Sequence, residues 1–165
     1  SCKVCNSSLK GDVDMNYRDF VHPYKEGVNS VLKFRTGKTV DDFLGGNKPN
    51  KKIKLLPVKN ADPLLLARAR KSMELFEIEN IYNEHRDIAE EIFKKSFDNS
   101  ANHIKKYSEL KTDKGVKLFE TPQELFRHFI GNYMDEQDFY RRPLAKFQND
   151  ISIESGIFKR ISDIY

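Results

Sequence analysis

From Leu64 to Lys95 the chain contains neither glycine nor proline, and that interval constrains the fold more than any other. Asp62 is a good helix N-cap, and Pro63 suits the first helical position, where its missing N–H costs nothing. Leu64, Leu65, Leu66, Ala67 and Ala69 open an apolar stripe that Ile78, Ile81, His85, Ile88 and Ile92 continue at spacings of three and four. The pattern predicts one long helix or two abutting ones.

Helical signals continue beyond it. Asp98-Asn99-Ser100 ends the element, and a shorter helix with Ile104 and Tyr107 follows. Lys111 to Gly115 reads as a charged turn. Thr121-Pro122-Gln123-Glu124 is a capping box with proline at the first helical position. The helix it starts carries Leu125, Phe126, Phe129 and Ile130 and closes at Gly131-Asn132. Asp135 is expected to cap a short helix through Tyr140. Pro143 is expected to open another, with Leu144, Phe147 and Ile151, ending near Gly156.

Ahead of Asp62 the period changes. Val31-Leu32-Lys33-Phe34 reads as a strand, and Lys52-Ile53-Lys54-Leu55 alternates polar and apolar as a half-buried strand does, with Pro57 ending it. Gly45-Gly46-Asn47-Lys48-Pro49-Asn50 between them is loop chemistry, so the two strands are expected to pair as a hairpin. The fold class expected is α+β, mostly α: residues 1–60 hold a zinc-finger knuckle and the hairpin, and residues 61–165 form a helical domain.

The 165 residues, 38% of them hydrophobic and with 12 Phe and 7 Tyr, suffice for a real core. A formal net charge of +4 permits nucleic-acid binding without demanding it, because phosphate affinity depends on how cations cluster. No run of about 18 apolar residues is present to span a membrane. No basic segment leads into an apolar one as in a secretory signal. The cysteines are Cys2 and Cys5 alone, which argues against a disulfide framework and for a reducing, cytoplasmic compartment.

Cys2 and Cys5 stand three apart in Ser1-Cys2-Lys3-Val4-Cys5-Asn6-Ser7-Ser8-Leu9-Lys10-Gly11. Two thiolates at that spacing can hold one metal ion from a tight turn, but a structural zinc needs four ligands. The pair therefore reads as half of a zinc site, as a redox pair, or as two incidental thiols. The redox reading needs a βαβ frame, and the flanking sequence has none.

Cys2-Lys3-Val4-Cys5-Asn6 with Lys10-Gly11 resembles the closing knuckle of the HNH (His-Me finger) endonucleases, and in particular bacterial members with a long helical extension. Further matches lie in Asp19-Phe20-Val21-His22-Pro23-Tyr24, Ile81-Tyr82-Asn83-Glu84-His85 and Arg142-Pro143-Leu144-Ala145-Lys146. The resemblance implies a structural zinc held by Cys2 and Cys5 with a second cysteine pair, and a catalytic Mg or Mn near Asn6. It also implies that the general-base histidine and the other cysteine pair precede Ser1, consistent with a chain that starts without methionine, and that these residues alone are inactive. DNA is the expected partner, and defence against foreign DNA is a common setting for such proteins.

Each candidate has a plainer reading beside it. Asn6 would offer an amide oxygen to a hard divalent cation, or simply cap the finger helix, and the two roles are compatible. His22 would be able to complete a local metal site. His85 falls in the apolar register of the helix, as a partly buried hydrogen-bonded residue would, and His103 and His128 read as surface or boundary positions. Lys10, Lys51, Lys52, Lys54 and Arg68 are the candidate nucleic-acid contacts, within a basic stretch that also holds Lys48, Lys59, Arg70 and Lys71. On one face they would track phosphates, whereas lysines on an edge strand also serve to block unwanted pairing. Arg141-Arg142 beside Tyr140 is a second phosphate candidate, with a helix-junction role as its alternative. Glu84, Asp87, Glu90 and Glu91 mix with Arg86, Lys94 and Lys95 as an exposed ion-pair face does. The competing class is a non-enzymatic module whose helical domain binds a protein or nucleic acid.

Overall fold

The structure is a computed structural model and describes residues 8–16, 18–22, 26–37 and 52–165. The chain is α+β and mostly α, as its periodicities predict. Strands β1 (Leu32–Arg35) and β2 (Lys54–Pro57) form a two-stranded antiparallel sheet. Helices α1 (Pro63–Leu75), α2 (Ile78–Asn83), α3 (Arg86–Asp98), α4 (Ala101–Ser108) and α5 (Pro122–Ile130) follow. A 3-10 helix (Glu136–Arg141), α6 (Ala145–Ser155) and α7 (Ile157–Ser162) complete the order. Contacts group the chain into two compact units, one holding the described residues of 1–34 and 52–86, the other those of 35–51 and 87–165. Helices α1 and α2 therefore belong with the sheet.

In the first unit the alternation expected over residues 52–55 is realised, although β2 begins only at Lys54. Ile53 is buried and Leu55 half-buried, while Lys52 and Lys54 face solvent. Val31, Leu32 and Ala69 form the centre of this core, with Leu55, Leu65, Leu66 and Met73 packed on it. Burying a side chain such as Leu32 contributes roughly 1.5–3 kcal/mol. Asp62 caps α1 through its Oδ1, which accepts the Leu65 N–H at 2.6 Å.

The one long helix, or two abutting ones, expected from Leu64 is three helices instead. Glu77 adopts left-handed backbone at φ 48°, where a side chain other than glycine is disfavoured, and a second break falls at Glu84 and His85. Tertiary hydrogen bonds accompany the breaks. Asn83 on α2 accepts the Ile53 N–H at 2.8 Å and donates to the Ile53 carbonyl at 3.0 Å. Glu79 accepts the Leu55 N–H at 2.7 Å. A helix continuing straight from α1 has no reason to bring these side chains to β2, so strand pairing overrides the local helix propensity.

In the second unit Phe93, Ile104, Leu125, Phe126, Phe147, Ile151, Ile157 and Ile161 are almost fully buried. α7 packs against α4, α5 and α6. The capping box forms as predicted: Thr121 Oγ1 accepts the Glu124 N–H at 3.2 Å, and Glu124 returns the bond to the Thr121 N–H at 3.3 Å. Glu154 on α6 accepts from the amides of Thr36 and Gly37, both at 2.9 Å, and so anchors the residues after β1 within this unit. Arg160 on α7 donates to the carbonyls of Ser96 and Asn99, while the Ser96 hydroxyl donates to the Ser155 carbonyl at 2.6 Å.

Two helix starts differ from expectation. Asp135 precedes a 3-10 helix and makes no side-chain capping bond. Its amide turns to Gln123 Oε1 at 3.4 Å, beside that of Met134 at 2.9 Å. Pro143 does not open a helix either, because Leu144 takes left-handed backbone at φ 59° and α6 begins one residue later. The Pro143 carbonyl is held by the Asn132 amide at 3.1 Å.

Candidate nucleic-acid interface

Cys2, Cys5, Asn6 and Lys51 lie outside the described residues. Lys10 is half-buried, and its carbonyl accepts the Val13 N–H at 3.1 Å. Lys52 and Lys54 come together as the solvent face around β2. The outward amides of Ile53 and Leu55 are already taken by Asn83 and Glu79. That edge is therefore covered by α2, and the lysines are not needed to protect it.

Arg68 has a carboxylate partner. Its guanidinium grips Glu26 through two bonds, Nη2 to Oε1 at 2.6 Å and Nη1 to Oε2 at 3.0 Å, a bidentate fork. A phosphate at Arg68 would have to compete with that carboxylate. Lys71 is likewise paired with Asp19 at 3.0 Å and sits 5.1 Å from the Phe20 ring centre.

The other segments that suggested the resemblance have packing roles. The Val21 N–H donates to the buried Ser72 hydroxyl at 3.0 Å. Tyr82 stacks on Phe34 with ring centres 4.3 Å apart, and burial pushes its phenol upward. Arg142 donates to the Gly131 carbonyl at 2.7 Å, at the left-handed residue closing α5. That bond is the helix-junction role weighed for it.

His85, His103 and His128 sit among aromatic rings. His85 meets the edge of Tyr82, and His103 the edge of Tyr107. His128 has Tyr107, Phe119 and Phe129 within 5.4 Å, centre to centre. Among the described residues no group of three or more His, Cys, Asp or Glu side chains is placed to hold a metal ion.

One grouping was only half visible in the sequence. Residues 131–143 are tied to α5 and α6 at Met134 and are cross-linked end to end within the segment. Gln123 takes the amide of Met134, Asn149 donates to the Met134 carbonyl at 2.8 Å, Asn132 reaches Pro143, and Arg142 reaches Gly131. On this frame Arg127 lies 5.0 Å from the centre of the Tyr133 ring, and Arg141 lies 5.7 Å from Tyr133 and 5.8 Å from Tyr140. Hydrogen bonds to Tyr140 and Tyr133, then the Asp138 carboxylate, hold Arg141 firmly in its charged form. Tyr140 is 81% exposed. An open aromatic face beside guanidinium groups, as at Tyr140, suits a stacked nucleobase. Arg141 and Tyr140 were legible as a candidate, whereas Arg127 and Tyr133 were not, because Gly131 turns the chain between them.

The chain matches no family model, no curated protein and no solved structure.

Proposed function

We propose that these residues are the C-terminal portion of an HNH-type endonuclease that hydrolyses phosphodiester bonds of nucleic acid, DNA above all, with a divalent metal. The observation that carries the reading is the run Cys2-Lys3-Val4-Cys5-Asn6 followed by Lys10-Gly11. Cys2 and Cys5 would supply half of a structural zinc site, and the Asn6 amide oxygen one ligand to Mg or Mn. In such chemistry the metal neutralises the scissile phosphate and stabilises the leaving oxygen while a histidine takes a proton from the attacking water. His85, His103 and His128 are engaged with aromatic rings, so the base is proposed to come from residues other than these. A cytoplasmic setting and a role in bacterial defence accompany the proposal by analogy with the family.

The test is nicking of supercoiled plasmid by the intact gene product with Mg2+ or Mn2+. Metal-dependent cleavage that falls by orders of magnitude in Asn6→Ala supports the reading. Cleavage indifferent to that substitution removes Asn6 from the metal site.

A second reading, a non-enzymatic helical module that binds nucleic acid or a protein, is favoured by the packing roles of Ser72, Tyr82 and Arg142 in or against the matched segments. It predicts binding with no strand scission under any metal.

A further inference from the structure

We infer that Tyr140, presented beside Arg141 and Tyr133 on the pinned segment between α5 and α6, is a stacking site for an unpaired nucleobase. The nucleic acid engaged is then single-stranded where it crosses this surface. The inference deepens the nucleic-acid reading above and rests on it.

Four observations lead there. Tyr140 exposes 81% of its surface in a unit whose other large aromatic side chains are mostly covered. Its hydroxyl accepts from Arg141 Nε at 3.4 Å, and the same Nε reaches the Asp138 carboxylate at 3.0 Å, so the tyrosine, the arginine and the acid form one local cluster. The two ends of the segment that carries Tyr140 are fixed, at Met134 by Gln123 and Asn149 and at Gly131 and Pro143 by Arg142 and Asn132. Little ordering entropy is then left to lose on binding, the usual advantage of a preorganised surface.

Charge decides which part of a nucleic acid the surface suits. Across residues 127–142, Arg127, Arg141 and Arg142 equal in number the acids Asp135, Glu136 and Asp138, and Arg141 is ion-paired with Asp138. A patch without net charge is a poor tracker of duplex phosphates, whose grip comes from counterion release. What it offers is an aromatic face flanked by guanidinium planes, and base stacking on such a face tolerates any sequence. Inside a duplex that base face is covered by its neighbours, so the ligand has to be unpaired.

The experiment measures binding of the full chain to a fluorescent oligothymidylate and to a duplex of equal length, by anisotropy, at two salt concentrations. The chain contains no tryptophan and seven tyrosines, so the part of the tyrosine quenching that disappears in Tyr140→Ala reports stacking at this residue. The single strand should bind more tightly than the duplex, with a shallow salt dependence and loss of tyrosine emission. Tyr140→Ala should weaken it roughly ten-fold or more, and Tyr140→Phe should restore it. Equal affinity for duplex, binding that collapses with salt, or a Tyr140→Ala variant that binds like the parent would each overturn the inference. Plasmid cleavage is read separately: an inactive protein that still stacks single strands sinks the nuclease reading alone, and an active nuclease indifferent to Tyr140→Ala sinks this one alone.

Discussion

Arg68 holds both carboxylate oxygens of Glu26, and the Glu26 Oε2 also accepts the His22 amide at 3.0 Å. These bonds, the Arg68 pair first, draw the Glu26 carboxyl below its ordinary value of 4.5. A group whose folded pKa is depressed stabilises the fold fully above its unfolded pKa and loses that contribution as pH falls through the folded one. Stability of the first unit should therefore decline below about pH 4.5 as Glu26 protonates. Carboxyl titration followed by NMR should place Glu26 beneath the usual glutamate range, and Arg68→Gln should move it back up. An unshifted Glu26 in the parent protein would refute the pairing.

Asn83 substitutes for a missing strand by meeting both backbone groups of Ile53, a residue only 1% exposed. Asn83→Ala leaves a buried N–H and carbonyl unanswered, at a cost of about 1–3 kcal/mol. Urea unfolding should show a lower midpoint, and hydrogen exchange at Ile53 should accelerate. Unchanged protection of that amide would show that the contact carries nothing.

Thr121 and Glu124 satisfy each other's amides at the start of α5. Thr121→Ala should cost about 1 kcal/mol, while Thr121→Ser should cost little because the hydroxyl is kept. Thermal unfolding of the two variants side by side distinguishes a capping loss from a general surface effect.

Lys111 and Lys117 face each other across an isolated antiparallel bridge, and all of residues 109–118 are exposed. Like charges directly opposite repel, so Lys117→Glu should stabilise the bridge by a few tenths of a kcal/mol, up to about 1 kcal/mol. The gain should fade in high salt, which chemical denaturation at two ionic strengths will reveal.

Local rules succeeded where the chemistry is local. The Asp62 cap, the box at Thr121 and the closing glycine at 131 depend on residues a few positions apart, and each stands where its side chains put it. The break at Glu77 was invisible because glutamate is a good helix former and the bonds that accompany it reach Ile53 and Leu55, more than twenty positions away. The left-handed turn at Leu144 was hidden likewise, since Pro143 reads as a helix opener until Asn132 is seen to claim its carbonyl. Of the candidate contacts, Lys52 and Lys54 follow from strand alternation alone. Arg68 could not be seen to be engaged with Glu26, which lies 42 positions away.

The guanidinium of Arg160 closes the C-terminal end of α3 by bonding the carbonyls of Ser96 and Asn99. Those acceptors are synthesised some sixty residues before their donor. Until α7 has emerged from the ribosome, those carbonyls at the end of α3 are left to water. A nascent chain arrested short of Arg160 should accordingly be more protease-sensitive around Asn99 than the full chain.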